Sequence, residues 1–175
     1  CGPRVELFDN HCNQIECEDP IKRTAALLKE GSIVAVKGLG GFHLAADTEN
    51  DAAVAKLRSR KHREEKPFAL MAAGISAIRE FAYITEDERQ LLTSIQRPIV
   101  LLKKTHQHVI APEVAPRNRY FGVMLPYTPL HYLLLNEGFT ALVMTSGNLS
   151  EEPIAIDNKD AFKRLAPIAD FLLIH

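Results

Sequence analysis

Short apolar runs alternate along this chain with segments that carry helix start and stop signals, and this alternation constrains the fold more than any other feature. Continuous apolar runs such as residues 32–36 and 140–145 are typical of strands covered on both faces of a sheet. Amphipathic segments lie between the runs, for example the one that Asp19 and Pro20 open and Gly31 closes. Strands separated by helices predict an α/β domain with a twisted, open, mixed or parallel sheet flanked by helices.

Several individual elements can be predicted from local signals. Thr48 is expected to cap a helix that ends near residue 60. Residues 98–102 are expected to form a buried strand, and residues 117–126 a long loop with some extended structure. The other expected helix caps are Thr85 with Glu88, Thr128 with Pro129, and Asp157. Ligands of α/β sheets bind beyond the carboxyl ends of strands, which directs attention to the loops after residues 36, 72, 102 and 145.

Composition limits the class of protein. The chain has 175 residues, of which 46% are hydrophobic and 25% charged, a profile typical of soluble globular proteins. No apolar run approaches the roughly 20 residues of a membrane-spanning helix, and no signal segment is present at the start. The three cysteines, an odd number without paired C-x-x-C units, argue against a disulfide framework and a complete zinc site. We therefore expect a cytoplasmic protein with no membrane contact, in which Cys12 and Cys17 are free thiols.

A glycine-rich stretch, residues 37–44 (KGLGGFHL), directly follows a predicted strand. Glycines here allow the backbone to approach a ligand closely. Their spacing matches neither the dinucleotide fingerprint nor the P-loop, so the glycines alone favour a tight strand-to-strand turn. His43 follows this turn, and it is the histidine that we expect to face a ligand.

Six of the twelve residues 56–67 are lysine or arginine. Such a charge run is usually a solvated helix face. Here the cations continue past the predicted helix end, and Lys66 and Pro67 lead directly into a predicted strand. Cations held at a sheet edge suit a polyphosphate, because ATP brings about four negative charges. A binding site and a solvated surface both remain open at this point.

Residues 145–150 (TSGNLS) follow another apolar run. Short hydroxyl and amide side chains suit phosphate oxygens and the water shell of Mg²⁺. The same residue types are also typical of an ordinary turn.

Taken together and in their order along the chain, these three motifs resemble those of the YrdC-like family. That family carries an early K-x-R element and a late S-x-N element that converge on ATP, and here they are residues 61–63 and 146–148. Within the family, the chain is more similar to the YrdC-like domain of HypF carbamoyltransferases than to threonylcarbamoyl-AMP synthases. The segments that carry this similarity are residues 34–47, 97–102, 122–131 and 144–154.

Two departures from the synthases support the same choice. Residues 37–41 replace the P-T-x-T segment that holds threonine in those enzymes. Met124 stands where they tend to carry an arginine, two residues before the proline that corresponds to Pro126. Both departures argue against a threonine pocket.

The resemblance implies a carbamoyltransferase/ligase activity in which an adenylate-forming domain joins carbamate, derived from carbamoyl phosphate, to ATP with Mg²⁺. The products are carbamoyl-adenylate and pyrophosphate. The full-length enzyme would pass the carbamoyl group to the partner protein HypE during [NiFe] hydrogenase maturation. The residues implied for ATP are Lys61, Arg63, Lys66, Ser146 and Asn148, with Lys61, Arg63, Ser146 and Asn148 also implied in catalysis. Those implied for carbamate are Lys37 and His43, and no protein ligand to a metal is assigned.

The resemblance also suggests how the chain is divided. Cys1, Gly2 and Pro3 resemble the end of the zinc-finger-like region that precedes this domain in HypF. We interpret residues 1–18 as the remnant of the linker after that region and residues 19–175 as the nucleotide-binding domain. Zinc is expected only in the upstream region that this fragment lacks.

Two other functions remain open. One is a threonylcarbamoyl-AMP synthase that acts in tRNA modification. The other is a non-catalytic double-stranded RNA-binding module that uses the basic cluster. The formal net charge of −1 counts against the RNA interpretation.

Overall fold

The computed structural model describes residues 4–149 and 152–175, in which eight strands form one sheet. The strands are β1 Glu6–Asp9, β2 Val34–Lys37, β3 Phe42–Asp47, β4 Ala69–Ala72, β5 Val100–Lys103, β6 Tyr120–Met124, β7 Ala141–Ser146 and β8 Phe171–Ile174. The helices are α1 Pro20–Lys29, α2 Asp51–Arg60, α3 Ile75–Ile78, α4 Glu86–Thr93, α5 Pro129–Leu135 and α6 Asn158–Leu165. The strand order is β1-β8-β2-β3-β7-β4-β6-β5.

The sheet is mixed, which confirms the predicted fold class. The pairs β2–β8 and β4–β6 are parallel, and the other neighbouring strands are antiparallel. Because β7 runs antiparallel to β4, the carboxyl end of β7 lies beside the amino end of β4. The loop after residue 72 therefore lies at the opposite sheet edge from the loop after residue 145. Of the loops to which the sequence directed attention, the one after residue 72 therefore does not lie beside the one after residue 145.

Apolar side chains cover both faces of the sheet. One core contains buried residues of α2, α4 and α6 together with strand residues such as Ala35 and Phe121. The other contains buried residues of α1 and α5 together with Val34 and Met124. Neighbouring strand residues such as Val34 and Ala35 belong to different cores, because successive side chains of a strand point to opposite faces.

Most predicted helix ends are confirmed by their cap contacts. Thr85 and Glu88 form a capping box, and the side chains of Asp19, Thr128 and Asp157 accept backbone N–H bonds at their helix starts. Thr48 was predicted wrongly, because Asn50 caps α2 instead. The Thr48 side chain is fully buried, and its hydroxyl donates to the carbonyl of Ala141 at 2.8 Å.

Two strand predictions also need correction. Residues 117–126 are not a long loop, since they contain β6, which lies between β4 and β5 with Phe121 and Val123 fully buried. The strand predicted as buried, β5, is an edge strand whose Leu101 side chain is 66% exposed. An apolar run shows that a strand is present, but its exposure depends on the neighbours that the fold supplies.

The N-terminal segment contributes to the sheet. Strand β1 pairs with β8, and Leu7 is fully buried. The sheet thus includes part of the segment that we interpreted as a linker remnant, and the proposed boundary between residues 18 and 19 stays a prediction. Cys12 and Cys17 are free thiols, as expected, whereas Cys1 lies outside the described residues. None of the described helices is long and apolar enough to cross a membrane.

We expect Thr48→Val to lower the free energy of unfolding by about 1 kcal/mol, because it keeps the shape of the side chain but removes the buried hydrogen bond to Ala141. Urea denaturation measures the change. Thr93→Val is the matched control, since its hydroxyl bonds to its own helix at an exposed position. Equal effects of the two substitutions would contradict a special role of Thr48.

Candidate functional site

The basic run of residues 56–67 divides into a structural part and a part that faces a cavity. Lys56 and Arg60 both bind the carboxylate of Asp170, at 3.0 and 2.7 Å. Arg58, which is 8% exposed, donates instead to the carbonyls of Glu113 and of the loop before β4. These three cations hold the end of α2 against the rest of the domain.

The cations beyond α2 lie at the site. Lys61 is the C-cap residue of α2, and His62 follows in a left-handed conformation with φ of 50°. Positive φ values are uncommon for non-glycine residues and concentrate at turns and functional loops. This turn leaves Lys61 buried, His62 exposed and Arg63 half-buried.

The Lys61 ammonium joins the two motifs of the sequence. It is 2% exposed, and Nζ donates to the carbonyl oxygen of Ser146 at 2.7 Å and to Oδ1 of Asn148 at 2.9 Å. The Ser146 hydroxyl donates to the same Asn148 oxygen at 2.7 Å. Residues 61–63 and 146–148, which the resemblance placed together on ATP, are therefore in direct contact.

Burial, together with the smaller effects of the nearby charges of Arg63 and Lys66, lowers the pKa of Lys61 to about 8. Burial disfavours a charged amine, and like charges add to that effect. A lysine with this pKa is still mostly protonated at neutral pH. The site therefore holds a concentrated positive charge that an anion would stabilise.

A cavity of about 350 Å³ opens over this contact. Its cationic lining residues are Lys61, Arg63 and Lys66. Glu64, Glu65, Ser146 and Asn148 also line it. Arg63 is held in place by its own loop, since Nε donates to the carbonyl of Lys66 at 2.9 Å and its guanidinium lies 5.1 Å from the Phe68 ring centre.

A second, larger cavity of about 640 Å³ continues from the first, and the two share Arg63, Lys66 and Ser146. Most of its lining is apolar, and it extends across β4, β6 and β5. Its lining residues include Phe68, Ile99, Leu101, Gly122, Met124, Met144, His43 and Tyr127. Cationic groups at one end and an apolar cavity at the other are suited to an elongated ligand with an anionic part.

Three ring side chains lie together at the second cavity. His43 Nε2 is 2.7 Å from the Tyr127 hydroxyl, and the Tyr127 ring meets the His131 ring edge-to-face at 4.6 Å. His131 is fully buried, and neither of its ring nitrogens has a hydrogen-bond partner within the part of the chain that is described. Of the two carbamate candidates, His43 reaches a cavity.

Lys37, the other carbamate candidate, does not line either cavity. Its ammonium donates to Asn158 Oδ1 at 2.7 Å, at the start of α6. The glycines around it form the tight turn between β2 and β3. A Cβ on Gly41 would lie 2.7 Å from Ile154, and one on Gly147 would lie 2.7 Å from the carbonyl of Phe42. These glycines pack two loops of the site together, and the role of Lys37 stays a prediction.

Sequence reasoning missed Tyr127, Glu64 and Glu65 as lining residues of the two cavities, and it missed the structural role of Arg58. Arg58 was visible only as one member of the basic run, and its carbonyl partners lie up to 56 residues away. Tyr127 lies within the family-like segment 122–131, but nothing in that segment indicates its contact with His43, which lies 84 residues away. These contacts result from the fold and not from local spacing.

The described residues contain no group of three or more His, Cys, Asp or Glu side chains that could hold a metal ion. The side-chain oxygen atoms at the first cavity include the Ser146 hydroxyl, the Asn148 amide oxygen and the carboxylates of Glu64 and Glu65. Mg²⁺ is usually bound by one or two carboxylates together with water and substrate phosphates. This donor set fits a Mg²⁺ ion that arrives with a nucleotide better than a resident metal ion.

The pH dependence of the unfolding free energy tests whether the buried His131 is held neutral. Burial, and to a lesser extent His43, lowers the pKa of His131 from 6.5 to about 4. Between pH 6.5 and 4 the unfolded chain binds more protons than the folded one at this residue, so stability falls as the pH falls through that window. The loss due to His131 should reach about 3 kcal/mol at most.

We expect His131→Phe to make the fall in unfolding free energy between pH 6.5 and 4 shallower than in the wild type, measured by urea denaturation. Some dependence will remain, because burial also lowers the pKa of the neighbouring His43. His106→Gln, at an exposed position, is the control and should leave the slope unchanged. An unchanged slope in His131→Phe would show that this histidine is not held neutral.

Comparison with known proteins confirms the resemblance. The Sua5/YciO/YrdC family model, described as telomere recombination, matches residues 26–175. Carbamoyltransferase HypF2 of Cupriavidus necator is 49% identical over 176 residues, which cover 92% of this chain and 22% of that protein. A crystal structure of full-length HypF in the phosphate- and nucleotide-bound form has a TM-score of 0.92 and 47% identity, covering 99% of this chain and 22% of that one.

A more distant relative represents the alternative function. Threonylcarbamoyl-AMP synthase of Bacillus subtilis is 26% identical over 150 residues, which cover 83% of this chain and 43% of that protein. The chain spans about a fifth of the length of the HypF proteins that it matches. Since the family model covers most of its length, the chain belongs to the Sua5/YciO/YrdC family.

Proposed function

We propose that this chain binds ATP with Mg²⁺ and joins carbamate to it, forming carbamoyl-adenylate and pyrophosphate. One observation carries the proposal, namely the buried Lys61 that binds both Ser146 and Asn148 at the wall of a cation-lined cavity. A full-length HypF that is 47% identical to this chain over the matched region has a phosphate- and nucleotide-bound form, which supports a nucleotide as the ligand.

The charges of the first cavity suit a triphosphate. Three cations and two carboxylates line it, so the bare cavity has a small positive excess. Bound Mg²⁺ would offset part of the charge of ATP and could bind Glu64 or Glu65 as well as phosphate oxygens. Arg63 and Lys66, which lie less deeply than Lys61, would contact the phosphates directly.

The reaction needs little covalent chemistry from the protein. A carbamate oxygen attacks the α-phosphorus, a new phosphorus–oxygen bond forms, and the bond to the β-phosphate oxygen breaks. Pyrophosphate leaves with that electron pair. Such a site acts mainly by positioning and by neutralising charge. Arg63 and Lys66 would stabilise the leaving pyrophosphate, and the Ser146 hydroxyl would turn from Asn148 to donate to an α-phosphate oxygen.

The remaining steps belong to the longer protein. We propose that carbamate derives from carbamoyl phosphate in another region, and that the carbamoyl group is then transferred to HypE for [NiFe] hydrogenase maturation in the cytoplasm. The relatives that are named carbamoyltransferase HypF and that this chain matches at 41–49% identity support this assignment.

We expect Lys61→Met and Arg63→Ala each to weaken ATP–Mg²⁺ binding about ten- to a hundredfold, measured by calorimetric titration. Loss of a charge-assisted contact costs roughly 1.5–3 kcal/mol. Methionine replaces lysine because Lys61 is buried and a shorter side chain would leave a cavity. Lys22→Ala, on the exposed face of α1 and outside both cavities, is the control. Wild-type affinity in both variants would show that the cations have only a structural role.

Threonine distinguishes the proposal from the tRNA-modifying alternative. We expect L-threonine added to the ATP-bound chain to change neither the heat signal nor the melting temperature, because Met124 supplies no charge for its carboxylate. A substrate at 100 times its dissociation constant would stabilise the fold by about 2.7 kcal/mol, which is readily measured. Threonylcarbamoyl-AMP detected by mass spectrometry with bicarbonate present would favour the synthase instead.

A further inference from the structure

Tyr127 belongs to the larger, mostly apolar cavity that continues from the cation-lined one. Tyr127 lines the larger cavity, and its hydroxyl is 2.7 Å from His43 Nε2. His43 is the register partner of Ser146 in the pairing of β3 with β7, and Ser146 lines both cavities. The tyrosine hydroxyl thus contacts a residue of β3 that pairs directly with Ser146 of β7.

The direction of the His43–Tyr127 hydrogen bond follows from burial. Burial lowers the pKa of His43, so its ring is neutral at pH 7 and carries one N–H. Nδ1 of His43 is buried and has no hydrogen-bond partner among the described residues. A buried N–H without a partner is rarer in proteins than an acceptor without one, so the hydrogen belongs on Nε2. His43 then donates to the Tyr127 oxygen.

With His43 as donor, the hydroxyl hydrogen of Tyr127 cannot point back to the histidine. Burial raises the pKa of Tyr127, so the phenol keeps this hydrogen. The ring itself is fixed by edge-to-face contact with the fully buried His131. The Tyr127 hydroxyl can therefore donate one hydrogen bond, and an acceptor for it can lie in the larger cavity.

The other side chains of the larger cavity define what that partner can be. Among the described residues that line it there is no Asp or Glu, so an ammonium group would find no counter-charge there. Met124 and Met144 provide apolar surface beside the tyrosine. A small group with an oxygen acceptor and no positive charge fits, whereas a zwitterionic amino acid does not.

We propose that the Tyr127 hydroxyl donates a hydrogen bond to a carbamate oxygen and orients carbamate toward the α-phosphate, with His43 as the residue that positions the hydroxyl. This inference rests on the proposed carbamate–ATP reaction and names the residue that selects its acyl substrate. His43 acts through Tyr127, which replaces the direct carbamate contact expected from the sequence.

The test uses the chain itself with ATP–Mg²⁺ and freshly dissolved ammonium carbamate. The rate at which labelled pyrophosphate is incorporated into ATP is measured. Tyr127→Phe removes only the hydroxyl. We expect it to raise the KM for carbamate about tenfold or more and to leave the dissociation constant for ATP unchanged. Tyr132→Phe, on the exposed side of α5, is the matched control and should keep the wild-type KM.

A second pair of variants tests the positioning role of His43 independently of Tyr127. Glutamine can place an amide N–H near the position of Nε2, and leucine cannot. We expect His43→Gln to retain a KM for carbamate closer to the wild type than His43→Leu does, at equal melting temperature. A purely structural role would make the two variants alike and would overturn the assignment of His43.

The outcomes also separate this inference from the function on which it rests. If the wild type exchanges pyrophosphate in a carbamate-dependent way and Tyr127→Phe keeps the wild-type KM, or loses only kcat, the inference is overturned and the proposed function stands. If the wild type binds ATP but shows no carbamate-dependent exchange, the proposed function itself is overturned.

Discussion

The buried ammonium group of Lys61 is the contact on which the site depends. Removing an ammonium ion from water costs several kcal/mol unless oxygen atoms replace the lost hydration. Here the replacing oxygens belong to Ser146 and Asn148, in the loop after β7. Because the charge must keep these partners, the loop is tied to the end of α2. The positive charge that a polyphosphate needs and the geometry of the serine–asparagine pair therefore have one cause.

Lys66 and Ser146 can line one cavity only because the sheet is mixed. Antiparallel pairing of β7 with β4 places the end of β7 beside the start of β4, so Lys66 and Ser146 line the same cavity. In a parallel pair the start of β4 would lie at the far edge of the sheet, roughly 3.3 Å per residue away along the strand. The resulting separation, about 20 Å for a six-residue strand, would be too long for a lysine side chain to span.

Local features of this fold could be predicted from the sequence, and features set by distant neighbours could not. The capping box of Thr85 and Glu88 is local chemistry, and it was predicted correctly. The meeting of residues 61–63 with 146–148 was anticipated through a family motif, not through physics. The edge position of β5 depends on which strand lies beside it. The contact of His43 with Tyr127 joins residues 84 positions apart, and no sequence periodicity predicts it.

The two cavities are lined by different kinds of polar group, and this difference affects how precisely each can orient a ligand. Charges attract an anion from any direction, whereas a neutral hydroxyl binds an acceptor only along its own O–H bond. Lys61, Arg63 and Lys66 lie at one end, and the neutral ring groups of Tyr127, His43 and His131 lie at the other. In the proposed reaction, carbamate attracted to the same cations would meet the phosphates of the bound ATP. Under the proposed function, the directional Tyr127 hydroxyl would hold carbamate in a defined position, which is what an in-line attack requires.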